Sequence, residues 1–297
     1  MASSSLVHVF DASVYVFRAY YSLPEMRAPD GSHTHAAYGF ANTLLKYLGE
    51  ERPTHVAITF DHSMESFRNE IDSEYKAQRG EPPEDLEGQF PICREIARAL
   101  GLATFEREDY EADDLVATLA RRLAKRGTRV RIVSTDKDLA QLVREDGRVV
   151  LYDLARERTL DADGVRVKFG VDPAQIPDYL GLVGDVVDNL PGVPGVGAVS
   201  AAAALGAFGR IEDIPAEAEA WSGVRVRGAA RLAERIGSHR QRALLTRELA
   251  TLVDDVPGVR VDLRQLAWRG ADRARFEGLC EELGWGRIAT RVPRWVT

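Results

Sequence analysis

Three apolar, strand-like runs in this chain each end directly on an aspartate. Val7-His8-Val9-Phe10 leads into Asp11, Val56-Ala57-Ile58-Thr59-Phe60 into Asp61, and Val130-Arg131-Ile132-Val133-Ser134-Thr135 into Asp136. Between and after them apolar positions recur at helical spacing near 13–21, 36–48, 86–100 and 111–126, with Gly101 and Gly127 as stops. Shorter strand-like runs cover 103–105 and 148–153. The alternation predicts an α/β fold with a doubly wound, mainly parallel sheet. The pattern is lost across 63–88, a charged stretch that carries Pro82-Pro83. From about residue 160 the chain reads as short helices with Gly/Pro punctuation, including 226–236, 238–250 and 271–284, and a pair flanking 191–197. The expected domains are therefore 1–160, α/β with an irregular insertion at about 63–88, and 161–297, helical, with a tight turn at 191–197.

In an open α/β sheet the carboxyl ends of the strands form the crevice where ligands bind. Carboxylates gathered there need positive charge among them. A hard divalent cation such as Mg²⁺, which prefers oxygen ligands, meets that need. Three further acidic elements fall at strand ends or helix starts: Glu111-Ala112-Asp113-Asp114, Asp136-Lys137-Asp138, and Asp185-Val186-Val187-Asp188-Asn189. Each has a plain alternative. Acidic residues suit a helix's first turn, Asp138 suits a cap, and Asp188-Asn189 suits a turn. Taken together, they favour one acidic site. Phosphodiester cleavage needs a generated hydroxide, charge neutralisation and leaving-group stabilisation, which two metal ions can supply.

Composition changes the picture little. The 297 residues are 45% hydrophobic, enough for a real core. The formal charge of −7 argues against a nucleic-acid binder, but without the nine carboxylates of the acidic site it would become +2. Cys93 and Cys280 are too few for a disulfide framework and form no zinc motif, so two reduced thiols in a cytoplasmic protein are expected. The stretch Met1-Ala2-Ser3-Ser4-Ser5 lacks the basic region of a secretory signal, and no apolar run is long enough to span a bilayer.

Two more constellations carry chemistry. In 66–80, Arg68, Lys76 and Arg79 are interleaved with Phe67 and Tyr75, a mixture that suits single-stranded nucleic acid. On spacing alone, a solvated charged loop is the favoured reading of that segment. The turn Gly192-Val193-Pro194-Gly195-Val196-Gly197 permits close backbone approach, and the next helix opens on exposed N–H groups suited to phosphate. A purely structural tight turn explains it equally well. Its glycines follow a helix rather than a strand, which excludes a dinucleotide-binding loop.

In order along the chain, Asp11 with Arg18-Ala19-Tyr20, Tyr38-Gly39-Phe40, Phe60-Asp61, Phe67-Arg68 through Tyr75-Lys76-Ala77-Gln78-Arg79, Tyr110 to Asp114, Thr135 to Leu139, Gly184 to Val193 and Leu249 to Pro257 resemble the 5′-nuclease family. That family comprises 5′→3′ exonucleases and flap endonucleases, including the N-terminal domain of bacterial DNA polymerase I. The resemblance runs from about residue 6 to 285. It implies a PIN-like sheet with a helical arch, then a helical domain with a helix–hairpin–helix (helix-three-turn-helix) element that holds duplex DNA. It also implies two Mg²⁺ or Mn²⁺ ions, the first among Asp11, Asp61, Glu111 and Asp113, the second surrounded or supported by Asp114, Asp136, Asp138, Asp185 and Asp188. Lys76 and Arg79 match the arch cations that meet the scissile phosphate. Arg18, Arg68 and Tyr75, with Gly192, Val193, Gly195, Val196 and Gly197, fall in DNA-binding segments, and the hairpin would take a K⁺ ion. Implied substrates are DNA with 5′ flaps, nicks or gaps, single-stranded 5′ ends and RNA primers, cut by a stand-alone monomer in replication or repair. Ala12, Phe17 and Ala198-Val199-Ser200 depart from the family pattern, the last where a Glu-Lys-Thr type sequence is frequent.

Other readings fit less well. A non-catalytic DNA-structure binder on the same scaffold predicts eroded carboxylates, a small PIN-like ribonuclease lacks the hairpin and later helices, and a haloacid-dehalogenase-like phosphatase needs an Asp where Ser13 stands.

Overall fold

The computed structural model describes residues 5–80 and 82–296. The Met1–Ser4 part of the signal-peptide reading lies outside the described residues. Strand β1 (Leu6–Asp11) leads into helix α1 (Ala12–Ser22), and helix α2 (His35–Glu51) into strand β2 (His55–Thr59). Short helices α3 (Phe67–Ile71) and α4 (Glu84–Glu87) precede α5 (Gln89–Ala99), strand β3 (Ala103–Phe105), helix α6 (Ala112–Lys125) and strand β4 (Arg129–Val133). Then come β5 (Val149–Asp153), β6 (Arg158–Leu160), α7 (Ala162–Phe169), α8 (Ile176–Val183) and the two-residue strands β7 (Gly184–Asp185) and β8 (Leu190–Pro191). Helices α9 (Ala198–Phe208), α10 (Ala229–Ala250), α11 (Leu263–Leu266) and α12 (Arg273–Glu282) complete the described chain. None of its helices is long and apolar enough to cross a membrane.

Two compact units emerge, and neither is one continuous stretch: the first comprises residues 5–64, 82–135 and 253–296, the second 65–80 and 136–252. In the first unit β3, β2, β1 and β4 lie side by side, all parallel. Val7, Val9, Ile58 and Ile132 are closed to solvent, as expected of parallel strands covered on both faces. His8 is buried too, with Nδ1 2.6 Å from the Tyr47 hydroxyl. Burial, and then the charge of Arg131, lower its pKa to about 4. α6 obeys its macrodipole: Asp113 and Asp114 stand in the first turn, Arg122 and Lys125 in the last. The stretch 253–257 docks on this helix. Val256 N donates to Thr118 Oγ1 at 2.9 Å, and Arg121 and Arg122 pair with Asp254 and Asp255 at 2.8 and 2.6 Å.

In the second unit β5 and β6 form an antiparallel pair, and α8 and α9 flank the expected turn. Several sequence expectations need correction. The helices expected at 226–236 and 238–250 are one helix, α10. Gly237 is not a break but a contact: a Cβ there would stand 2.8 Å from that of Ala216, so only glycine lets the loop approach. The helix expected at 86–100 is divided at Gly88 into α4 and α5. The strand β6 had no expectation. The segment 65–80 is not a patternless loop. A capping box joins Ser66 and Asn69, and Arg68 and Tyr75 are buried.

Candidate active site

In the first unit the carboxylates are held by hydrogen-bond donors. Asp11 closes β1 and begins α1, and it accepts the Ser134 hydroxyl at 2.9 Å. Asp61 lies just beyond β2. One carboxylate oxygen accepts the Ala112 N–H, the first of α6, at 2.7 Å, and the other accepts the Ser13 hydroxyl. That bond ties the end of β2 to the start of α6, where Glu111 is the N-cap and Asp113 sits half-buried in the first turn. Asp114 is different. Fully buried, it accepts backbone N–H groups from Val253 at 2.8 Å and Glu111 at 3.2 Å. These bonds make it the clamp that fixes the 253 segment to α6, rather than the metal ligand the sequence suggested.

In the second unit the carboxylates crowd one another. Asp138, Asp185 and Asp188 each bring an oxygen within 4.8 Å of the others. Asp136 accepts the Asp138 N–H at 2.8 Å. Lys137 Nζ meets Asp185 at 2.8 Å, and Arg79 pairs with Asp188. Burial raises the Asp138 pKa well above the usual carboxylate value, and the charges of Asp136, Asp188 and Asp185 raise it further. Burial also raises that of Asp136, with Asp188 and Asp185 adding to the shift while the Asp138 N–H and Lys76 oppose it. Asp138 Oδ1 is buried with no hydrogen-bond partner. Three converging carboxylates, one of them with a buried oxygen that lacks a partner, and no nitrogen or sulfur ligand in the set suit a hard divalent cation.

The segment 74–79 is fastened to the loop that carries two of these carboxylates. Lys76 N donates to the Asp188 carbonyl at 3.0 Å, Asn189 Nδ2 to the Glu74 carbonyl at 2.6 Å, and Arg79 Nε to the Val187 carbonyl at 3.1 Å. Gln78 donates to the Val186 carbonyl. Lys76 takes a positive φ of 56° and lays its ammonium 5.0 Å from the Tyr75 ring centroid. The structure thus brings the Lys76 backbone and the Arg79 guanidinium to Asp188.

Two companions are placed differently. Arg68 is buried and donates to the carbonyls of Leu249 at 2.8 Å and Thr251 at 3.1 Å. Tyr75 is 4% exposed. Neither offers a face to a nucleic acid; they anchor the segment instead. Arg18 is exposed on α1. At the hairpin, Val193 and Val196 bury their side chains, and their N–H groups bond the carbonyls of Leu182 at 2.8 Å and Val193 at 3.0 Å. Gly192 is there for close approach, since a Cβ would fall 2.3 Å from the Val183 carbonyl carbon. Gly195 and Gly197 are exposed.

Lys137 had no role in the sequence reading, although a lysine between Asp136 and Asp138 at a strand end was signal enough. Ser13 and Ser134, which hold Asp61 and Asp11, had no comparable signal.

Residues 6–170 match the family model of the 5′-3′ exonuclease N-terminal resolvase-like domain, and residues 171–274 that of the 5′-3′ exonuclease C-terminal SAM fold. The chain belongs to the 5′-3′ exonuclease family. It is 39% identical over 281 residues to DNA polymerase I of Bacillus caldotenax, a match covering 93% of this chain and 31% of that one. To a 5′-3′ exonuclease of Aquifex aeolicus it is 39% identical over 184 residues, 62% of this chain and 63% of that one. The chain therefore spans about a third of the length of its polymerase relatives. Among solved structures, phage T5 5′-exonuclease with bound zinc ions aligns at TM-score 0.66 and 19% identity, over 94% of this chain and 99% of that one. The catalytic core of Rad2 in complex with DNA aligns at 0.65 and 16% identity, over 97% and 91%. These structures support the expected fold: a resolvase-like, PIN-type α/β domain followed by a SAM-like helical domain.

Proposed function

We propose that this member of the family is a divalent-metal-dependent 5′→3′ exonuclease and structure-specific flap endonuclease. It hydrolyses phosphodiesters in DNA carrying 5′ flaps, nicks or gaps, and in RNA primers, and acts as a cytoplasmic monomer. The observation that carries the reading is the convergence of carboxylate oxygens of Asp138, Asp185 and Asp188, one oxygen of Asp138 being buried without a partner, with Lys76 and Arg79 fastened to the same loop.

Asp11, Asp61, Glu111 and Asp113 would hold one Mg²⁺ or Mn²⁺, and Asp136, Asp138, Asp185 and Asp188 the other. When bound, such ions supply a water of lowered pKa and neutralise charge on the phosphate. Lys76 contributes a positive charge near the scissile phosphate, where it counts most as negative charge builds in the transition state. Arg79, which pairs with Asp188, is the second such cation. Ser13, Ser134 and Lys137 orient Asp61, Asp11 and Asp185. The turn at 192–197 would hold duplex backbone and could take a K⁺ ion, and Arg18 would add a phosphate contact.

The test is cleavage of a 5′-labelled flap, a nicked duplex and a single strand, each with Mg²⁺, with Mn²⁺ and with EDTA. Metal-dependent release of short 5′ products from the flap is expected. Equal product with EDTA would overturn the proposal.

A further inference from the structure

We infer that Arg235 and Arg231 on α10 form a phosphate-binding stripe that works with the 192–197 turn to grip duplex DNA. The inference rests on the nucleic-acid reading above and adds residues to it.

It begins with a deficit at the turn itself. Residues 191–208, covering the turn and all of α9, contain no charged side chain. Ala198 and Val199, in the first turn of α9, are exposed, Val199 at 80%. A duplex presents a dense row of phosphates, and affinity for it comes chiefly from cations that release its counterions. Backbone N–H groups alone orient a phosphate but carry no net charge.

The charge is supplied from α10. A Cβ built on Gly195 would fall 2.0 Å from Arg235 Nη1 and 3.0 Å from its Cζ, so the guanidinium lies against the turn's backbone. Gly195 itself is held to glycine by its φ of +75°. Arg231 stands one helical turn before Arg235 on the same face, and both are exposed. His239 continues the row, its Nδ1 3.0 Å from the Arg235 carbonyl.

The rest of α10 shows what its arginines do when their task is structural. Arg240 donates to the carbonyls of Ile211, Glu212 and Ile214. Arg242 pairs with Asp72 at 3.2 Å, and Arg247 with Asp178 at 3.1 Å and Glu212 at 2.7 Å. Among the described residues no carboxylate lies within ion-pair distance of Arg231 or Arg235. One helix thus carries arginines satisfied inside the protein toward its C-terminus, and exposed arginines beside an uncharged turn toward its N-terminus. Backbone phosphate of a duplex is the ligand that matches a line of guanidinium groups beside the N-terminus of α9, which has no side-chain cap.

The experiment measures Kd for a blunt DNA duplex and for a single strand of the same sequence, in EDTA, across a salt series. Arg235→Ala should weaken duplex binding roughly 5- to 10-fold near 0.1 M salt and lower the log–log salt slope by about 1, as for loss of one phosphate contact. Adding Arg231→Ala should lower the slope by about 2 in all. Arg235→Lys should keep the wild-type slope, and Arg148→Gln, an exposed arginine elsewhere, should bind as wild type. Single-strand affinity should hold in every variant. Arg235→Gln replaces the alanine variant if the latter melts early. A wild-type duplex Kd and slope in Arg235→Ala, or an equal loss on both substrates, would overturn the inference. Because no catalysis is read, an inactive wild-type enzyme would sink the nuclease proposal and leave this test standing.

Discussion

The two groups of carboxylates are held in different ways. In the first unit Asp11, Asp61 and Asp114 accept bonds from neutral donors: Ser134, Ser13 and Ala112 N, Val253 N and Glu111 N. In the second, Asp138, Asp185 and Asp188 meet one another, restrained by Lys137 and Arg79, and one buried oxygen of Asp138 has no partner. In the second the carboxylates repel one another, which a divalent cation would relieve, so metal binding should be felt there most.

The sharpest test is a pair of isosteric changes. Asp138→Asn should cut metal-dependent flap cleavage by about 10³-fold, the upper scale of losing one electrostatic contact in a site. It should also raise the thermal midpoint of the metal-free protein, because it removes a repelled charge. Asp114→Asn should do the reverse to stability, lowering it by about 2 kcal/mol, since an amide cannot accept both backbone N–H groups. Calorimetry in EDTA reads both. If the two variants shift in the same direction, the contrast between the groups is wrong.

Lys76→Ala comes next. Its ammonium rests by Tyr75, and its backbone N–H, which the substitution keeps, makes the bond to Asp188. Single-turnover cleavage should fall about 10²-fold with little change in DNA affinity, as for a contact made chiefly in the transition state. Wild-type single-turnover rates would end the arch assignment.

The smallest effects are in pH dependence, and they oppose one another. Asp136 and Asp138 have raised pKa values in the folded state. The folded protein therefore holds more protons than the unfolded chain, and stability falls as pH rises through and above the usual carboxylate value of 3.8. His8 runs the other way. Its pKa falls from 6.5 to about 4 on folding, so its contribution is complete above 6.5 and is lost as pH drops toward 4. A shift of that size is worth on the order of 3 kcal/mol. Urea unfolding from pH 7 to 4 in EDTA should show a shallow profile as the two offset. With saturating Mn²⁺ the carboxylate contribution disappears near neutral pH and the loss toward acid should steepen. An unchanged profile would mean that the second group does not bind the ion.

Much of the site was legible because its residues sit at positions set by local pattern. A strand that ends on Asp11, another that ends two residues before Asp61, and a helix capped by Glu111 follow from continuous apolar runs and from capping preferences. The late stretch 249–257 was visible only as a likeness. Its task, to fill the hydrogen-bonding needs of Asp114 and Thr118 with Val253 N and Val256 N, joins residues about 140 apart. No local pattern reaches so far.

Sequence alone determined the strand and helix alternation and the family. It could not divide labour between neighbours. Asp113 and Asp114 are adjacent letters, but successive helix positions point about 100° apart, so Asp114 turns inward to the Val253 N–H. Arg68 and Arg79 share a charged segment, yet Arg68 is buried under the carbonyls of Leu249 and Thr251 and Arg79 meets Asp188. Gly237 looks like a helix stop and serves as a contact for Ala216. In each case the residue type permits two environments at similar cost. Which one it occupies is decided by the partner that tertiary packing brings to it.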